Sequence, residues 1–212
     1  WQLSDYLHLL TMVRSQRPAI HIKAFSAVEI HHLHQTSGLS YAGILKAFRE
    51  AGLNSLPGGG AEIFDPEIRR QICPAKATAE EWLSVHRTAH QLGIPSNATM
   101  LYGHLETIEQ RIRHMEALRI LQDETNGFNA FIPLKFRNAN NKMSHLPEVP
   151  VVDDLRTYAI SRIFLDNIPH LKAYWPMLGK ESAALALEFG VDDLDGTIQD
   201  STRIYSLAGV RE

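Results

Sequence analysis

The chain has 212 residues, with 21 lysines and arginines against 24 aspartates and glutamates, so its formal charge of -3 offers no basic surplus for nucleic acid or anionic lipid. Its 44% hydrophobic and 21% charged residues predict a folded globular chain rather than a disordered one, and the length suits a single domain over residues 1–212. A single cysteine cannot close an internal disulfide, and no window has the length of a membrane span or the pattern of a signal peptide, which together predict a cytoplasmic protein.

The opening segment WQLSDYLHLLTMVRSQRP places Leu3, Tyr6, Leu9, Leu10 and Val13 on one stripe of a helix, with Ser4 as N-cap and Pro18 beyond its end. AIHIKAFSAVEI, residues 19–30, reads as a strand, and SYAGILKAFREAG reads as a helix closed by Gly52. The same order recurs. A strand at 53–56 precedes helices from Pro66 and over 79–92, and a strand at 95–101 precedes a helix over 107–125. Next come a strand at 128–134, a helix over 152–167, a strand at 171–175, the helix KESAALALEFG and a last short strand at 191–194. Six strands alternating with helices predict an α/β fold with a parallel sheet, because parallel neighbours need a long crossover. Polar and glycine-rich residues fall repeatedly just after the strand ends, as in a (β/α) barrel. Six strands are two short of such a barrel, so a partial barrel and an open sheet both fit. RNANNKMSHLPEVP, residues 137–150, reads either as a substrate-covering loop or as a plain surface connection.

Several motifs carry competing readings. Gly58, Gly59 and Gly60 in LNSLPGGGAEIFDPEIRRQICP allow close backbone approach of a ligand, or simply form a tight turn. A phosphate cradle does not fit them, since Asp65 and Pro66 start the next helix only after AEIF, and Glu62 would repel a phosphate. Cys73 reads as a small buried residue. His31, His34 and His104 form an incomplete ligand set for a zinc hydrolase. VDDLDGTI fails as a calcium loop: aligning Gly196 with its sixth position puts Val191 first and Thr202 twelfth, where carboxylates are needed. Lys23, Lys135, Arg137 and Lys172 bind an anionic substrate if they share one mouth, and are otherwise solvated rim charges. AYWPML supplies either a stacking platform or core aromatics.

Taken together, HIKAFSAVEIHH, SLPGGGAEI, NATMLYGHLET, LQDETNGFNAFIPLKF and DDLDGTI resemble, in order and over most of the chain, the radical S-adenosylmethionine (SAM) enzymes, and within them the aminofutalosine synthases of the futalosine route to menaquinone. The resemblance implies a partial TIM-type (β/α) barrel in which these segments are strands three to eight. It implies SAM and a 4Fe-4S cluster as cofactors of the full-length enzyme, with an external electron donor. The family's CxxxCxxC cluster motif is not among these residues, so the resemblance implies that the first two βα units and a C-terminal portion lie outside the chain. No cluster on this chain, no turnover by it alone and a homo-oligomer through exposed sheet edges are the corresponding expectations. In that family the 5'-deoxyadenosyl radical adds to the enol ether of 3-(1-carboxyvinyloxy)benzoate, an enolpyruvyl benzoate, and loss of bicarbonate gives 6-amino-6-deoxyfutalosine. Carried over by position, Ser55, Gly58, Gly59, Gly60, Glu62, Asn97, Tyr102, Gly103 and Glu106 would bind SAM. His21, Lys23, Lys135 and Arg137 would bind the substrate's carboxylates. A cyclic dehypoxanthine futalosine synthase, a deazaflavin-forming relative, a metal-dependent hydrolase and a non-catalytic binding module are the alternatives.

Overall fold

Side-chain caps start most helices where the residue pattern places them. In the computed structural model, whose description covers residues 1–196, these are α1 (Leu3–Gln16), α2 (Ala27–Ser37), α3 (Tyr41–Glu50), α4 (Pro66–Ile72), α5 (Ala79–Gln91), α6 (Ile108–Thr125), α7 (Val151–Phe164), α8 (Trp175–Leu178) and α9 (Lys180–Ala186). Ser26 with Glu29, Thr78 with Glu81, and Thr107 with Gln110 form reciprocal capping boxes on α2, α5 and α6. Asp65 caps α4 by accepting from the amides of Glu67 and Ile68, with Pro66 in its first turn.

Four strands form one parallel sheet in chain order: β1 (Ser96–Tyr102), β2 (Phe128–Lys135), β3 (His170–Tyr174) and β4 (Asp193–Asp195). Two further extended segments continue the sheet on the β1 side. Lys23 bridges Ser55 and Leu56 bridges Ser96, both in parallel, and the Asn54 amide donates to Ile22 O at 2.9 Å. Six extended segments thus lie side by side, as the alternation predicts, although the first two are single bridges rather than regular strands. The helices pack on one face, and a continuous core from Leu10 to Val191 fills the space between. Trp82, Tyr102, Tyr158 and Phe48 are the largest side chains sealed in it. Each such side chain contributes about 1.5–3 kcal/mol of burial.

Some boundaries differ from the sequence pattern. Gln2, reciprocated by Asp5, caps α1 in place of Ser4. The predicted strand over 19–30 stops before Ser26, because its capping box turns residues 27–30 into the first turn of α2. Trp175 begins a short helix rather than ending a strand, and the last strand sits at Asp193–Asp195. Thr197, Ile198 and Thr202 of the calcium-loop alignment, and IYSLAG, lie outside the described residues. No described helix is long and apolar enough to cross a membrane.

Candidate functional site

Strand alternation divides the polar residues of the sheet into two groups. Ser96 bonds to His86 and His90 of α5, Tyr102 bonds to Asp154 of α7, and Met100 lines a cavity between α6 and α7. Ser96, Ala98, Met100 and Tyr102 therefore face the helices, and Asn97, Thr99 and Leu101 face the other way. The parallel bridges put Ser55 and Lys23 on that second, open face, with His21 two residues before Lys23.

The open face gathers five of the predicted residues: His21, Lys23, Ser55, Gly58 and Asn97. His21 Nε2 lies 2.8 Å from Ser55 Oγ, and Thr99 Oγ1 donates to Gly58 O at 2.6 Å, which pulls the glycine loop against β1. A Cβ on Gly58 would sit 2.8 Å from the backbone carbon of Ala98, and one on Gly60 (φ +85°) would sit 2.3 Å from Val28 Cγ2. Two of the three glycines are thus required by packing. Gly59 is the one with room, its nearest neighbour being Ser26 Cβ at 3.6 Å.

Asn97 is 5% exposed; its side-chain amide makes no hydrogen bond among the described residues and reaches the surface of the open face, where it can pair with a ligand or with water. Lys23 is exposed on the same face, and its ammonium has no partner among the described residues. Glu62 adopts φ +47°, a strained value for a residue with a side chain, and its Oε1 lies 2.5 Å from Lys76 Nζ.

The other predicted residues are placed differently. Lys135 is not at the mouth of the sheet: in register with Tyr102, it turns toward α7, where its Nζ donates to Asp154 Oδ2 at 2.7 Å and to Val149 O at 2.9 Å. Tyr102 is fully buried, donates to Asp154 Oδ1 at 2.8 Å and lies under the Arg111 guanidinium. Burial pushes the Asp154 carboxyl up, against the opposing pull of Lys135 and Tyr102. Lys135 and Tyr102 are therefore corrected from ligand-binding to structural positions: strand alternation turns both inward to the helix layer, and Asp154 saturates them. Glu106 is corrected likewise. Its side chain is wholly buried, accepts from the Gly103 and His104 amides at 2.6 and 2.9 Å, and pairs with Arg111 Nε at 2.7 Å. Gly103 is buried against Val149 at φ +88°. Arg137 pairs with Glu148 at 3.3 Å, and the loop beyond it is closed by its own bonds, such as Asn138 Nδ2 to Leu146 O at 3.0 Å. Lys172 is 2.7 Å from Asp193 and so is neutralised within the sheet.

The hydrolase alternative loses its ligands. His31 bonds to Tyr41, His34 to Leu39 O and His104 to Leu101 O, and among the described residues no group of three His, Cys, Asp or Glu is disposed to hold a metal ion. Cys73 caps α4, is buried, and has its thiol pushed up by that burial, which keeps it protonated and unreactive at neutral pH. An iron–sulfur cluster does not fit the described residues, because one buried thiol on the helix side cannot supply three thiolates. SAM is compatible with the open face, where the Asn97 amide makes no hydrogen bond among the described residues and the backbone at Gly59 is uncrowded.

Sequence reasoning missed Arg69. It is buried, and its guanidinium bonds to backbone carbonyls of the glycine loop and of Ala77. An arginine beside the exposed Arg70 in a short helix carries no sign of burial.

Comparison with known proteins agrees with the resemblance. Residues 4–118 match the family model described as the Radical SAM superfamily, and residues 125–212 match the CofH/MqnC C-terminal region. The chain is 50% identical over 208 residues to aminodeoxyfutalosine synthase of Thermus thermophilus, covering 96% of this chain and 56% of the relative. It is 41% identical over 203 residues to the enzyme of the same name from Streptomyces coelicolor, covering 91% and 52%. A 5-amino-6-(D-ribitylamino)uracil–L-tyrosine 4-hydroxyphenyl transferase from Methanosarcina barkeri is 39% identical over 214 residues, covering 98% and 57%. The chain thus spans about half the length of these curated relatives. Among solved structures, methylornithine synthase superposes with a TM-score of 0.64 at 17% identity, over 94% of this chain and 54% of that one, a likeness of fold alone.

Proposed function

The chain belongs to the Radical SAM superfamily, and from that premise we propose that it forms the SAM- and substrate-binding part of an aminodeoxyfutalosine synthase, a transferase of menaquinone biosynthesis. The observation that carries the reading is the 50% identity to the Thermus enzyme over nearly the whole chain, against 39% for the uracil–tyrosine transferase. Asn97 supports it from the structure, being a side chain on the open face whose amide makes no hydrogen bond among the described residues, where the resemblance places SAM.

In this reading SAM, when bound, would supply the adenosyl radical that the reaction consumes, and the cluster that reduces it would have to be held by residues other than the described ones. The residues of this chain bind, orient and shield. Asn97 and the Gly59 backbone hold the polar edge of SAM. Lys23 and His21 attract the carboxylates of the benzoate, His21 being oriented by Ser55. Glu62 Oε2, which has no hydrogen bond among the described residues, accepts from the ligand while Lys76 holds Oε1. An external one-electron donor is required, because neither substrate nor side chain supplies the reducing electron. Segment 20–24 is bonded to 53–55 on one side, and its other edge accepts a further strand, from the same polypeptide or from a second copy.

The test is turnover by the complete polypeptide that carries this chain, reconstituted anaerobically with iron and sulfide and given SAM, reductant and the enolpyruvyl benzoate. Formation of 6-amino-6-deoxyfutalosine, read by mass, is the expected outcome. Product only when the benzoate is replaced by tyrosine and 5-amino-6-(D-ribitylamino)uracil would transfer the chain to the other branch of its relatives.

A further inference from the structure

The glycine loop is held in an unusual way. Its six consecutive carbonyls, from Gly58 to Ile63, all accept hydrogen bonds, yet only one of them, Glu62 O, is bonded by a strand amide, that of Leu101 at 2.7 Å. Thr99 Oγ1 occupies Gly58 O and Trp82 Nε1 occupies Gly59 O at 3.1 Å. Arg69 takes the rest: Nη1 bonds to Ala61 O and to Ile63 O at 3.2 Å, while Nη2 bonds to Gly60 O at 3.3 Å and reaches across to Ala77 O. Arg69 is 6% exposed and has no carboxylate within ion-pair distance among the described residues. A buried cation satisfied by carbonyl dipoles alone is costly, and the planar fork of arginine is the side chain able to serve several carbonyls at once.

The amides of the same loop show the opposite pattern. Those of the half-exposed Gly59, Gly60 and Glu62 donate to nothing among the described residues. With its acceptors occupied by the protein, the loop has only donors left to offer a ligand. The next residue is fixed as well: the Phe64 amide donates to His114 Nδ1 at 3.2 Å, and His114 Nε2 donates to Thr99 O at 2.9 Å.

We propose that Arg69 is a positioning residue of the SAM site: by occupying the carbonyls of Gly60, Ala61 and Ile63 it sets the strained Glu62 and leaves the adjoining amides to bind acceptor atoms of SAM. This rests on the functional reading above for the identity of the ligand, and goes beyond it in assigning a residue that touches neither SAM nor substrate.

The experiment measures SAM binding to the reconstituted complete polypeptide by equilibrium dialysis without reductant, so that no turnover occurs. Arg69→Lys keeps the charge but not the fork and should raise Kd about tenfold. Arg69→Ala should weaken binding further and be partly restored by millimolar guanidinium, which refills the vacated position. Leu165→Ala, a core truncation at the C-terminal end of α7 with no hydrogen bond to the loop, is the control: it lowers Tm and should leave Kd unchanged, since Leu165 lies among core side chains. Affinity in Arg69→Lys equal to that of the unaltered protein overturns the positioning role. No SAM binding by the unaltered protein overturns the functional reading instead. If the alanine variant does not fold, amide hydrogen exchange on the unaltered protein decides. The Leu101 and Phe64 amides should exchange far more slowly than those of Met143 and Leu146 in the surface loop, and equal rates overturn the clamp.

Discussion

The two faces of β1 use similar residues to opposite ends. On the helix side the polar groups beside β1 are mostly bonded to one another: Lys135, Asp154 and Tyr102 form one set, and Ser96 lies 2.7 and 2.8 Å from His86 Nδ1 and His90 Nε2, while His86 Nε2 is buried without a partner among the described residues. On the open side, Asn97 and Lys23 lack partners within the described chain. Thr125 Oγ1 spends its proton on Leu121 O, so it accepts from His90 Nδ1; His90 Nε2 then accepts from Ser96, which accepts from His86 Nδ1. Both histidines are neutral in this chain. The helix-side groups bond to one another, whereas the open-side groups have no partners among the described residues.

The largest effect should come from opening the closed face. Asp154→Leu leaves the Lys135 ammonium buried without its counter-charge and should cost about 3–5 kcal/mol of stability in urea unfolding. A loss under about 1 kcal/mol would show that the network does not anchor α7 to the sheet.

Acid should attack the same side next. Burial pushes His90 down to about 4 and His114 down to about 3, and drives His86 well below its ordinary value, helped by neighbouring His90. Each binds a proton more readily unfolded, near pH 6.5, than folded. Their contribution is therefore complete above pH 6.5 and is lost as pH falls toward 4 and 3, at up to about 1.4 kcal/mol per pH unit for each group. Urea unfolding at pH 7 and pH 5 should differ by about 2 kcal/mol or more, and equal stability would mean that the histidines are not held neutral.

A smaller contrast separates the glycines. Gly60→Ala meets Val28 at positive φ and should cost about 1–3 kcal/mol, whereas Gly59→Ala has room and should cost under about 1 kcal/mol while weakening SAM binding. Reversal of that order would place the ligand elsewhere. Smallest in stability is Lys23→Met, within about 0.5 kcal/mol, but with a roughly tenfold rise in KM for the carboxylated substrate. An unchanged KM would remove Lys23 from the substrate site.

Much of the scaffold was legible in the residues. Ser26, Thr78, Thr107 and Asp65 announce helix starts through local chemistry, and the alternation of strands and helices announces the parallel sheet. The candidate residues His21, Lys23, Ser55 and Gly58, proposed from the sequence, come together on the open face because they follow the chain locally. It was illegible where function and structure use one residue type. Lys135 and Lys23 are both strand lysines, and only the pleat decides that one meets Asp154 and the other solvent.

By itself the sequence determined what depends on near neighbours: helix caps, the order of elements, the late start of α4 after the glycines, and a single cysteine unable to hold a cluster. Tertiary structure alone decided which polar groups are spent. Arg69 reaches its carbonyls within a dozen residues of chain, but Asp154 reaches Tyr102 across 52 and Trp82 reaches Gly59 across 23. Saturation of a hydrogen-bonding group depends on what folding brings beside it, and residues distant in the chain carry no mark of one another until the sheet and its helices have packed.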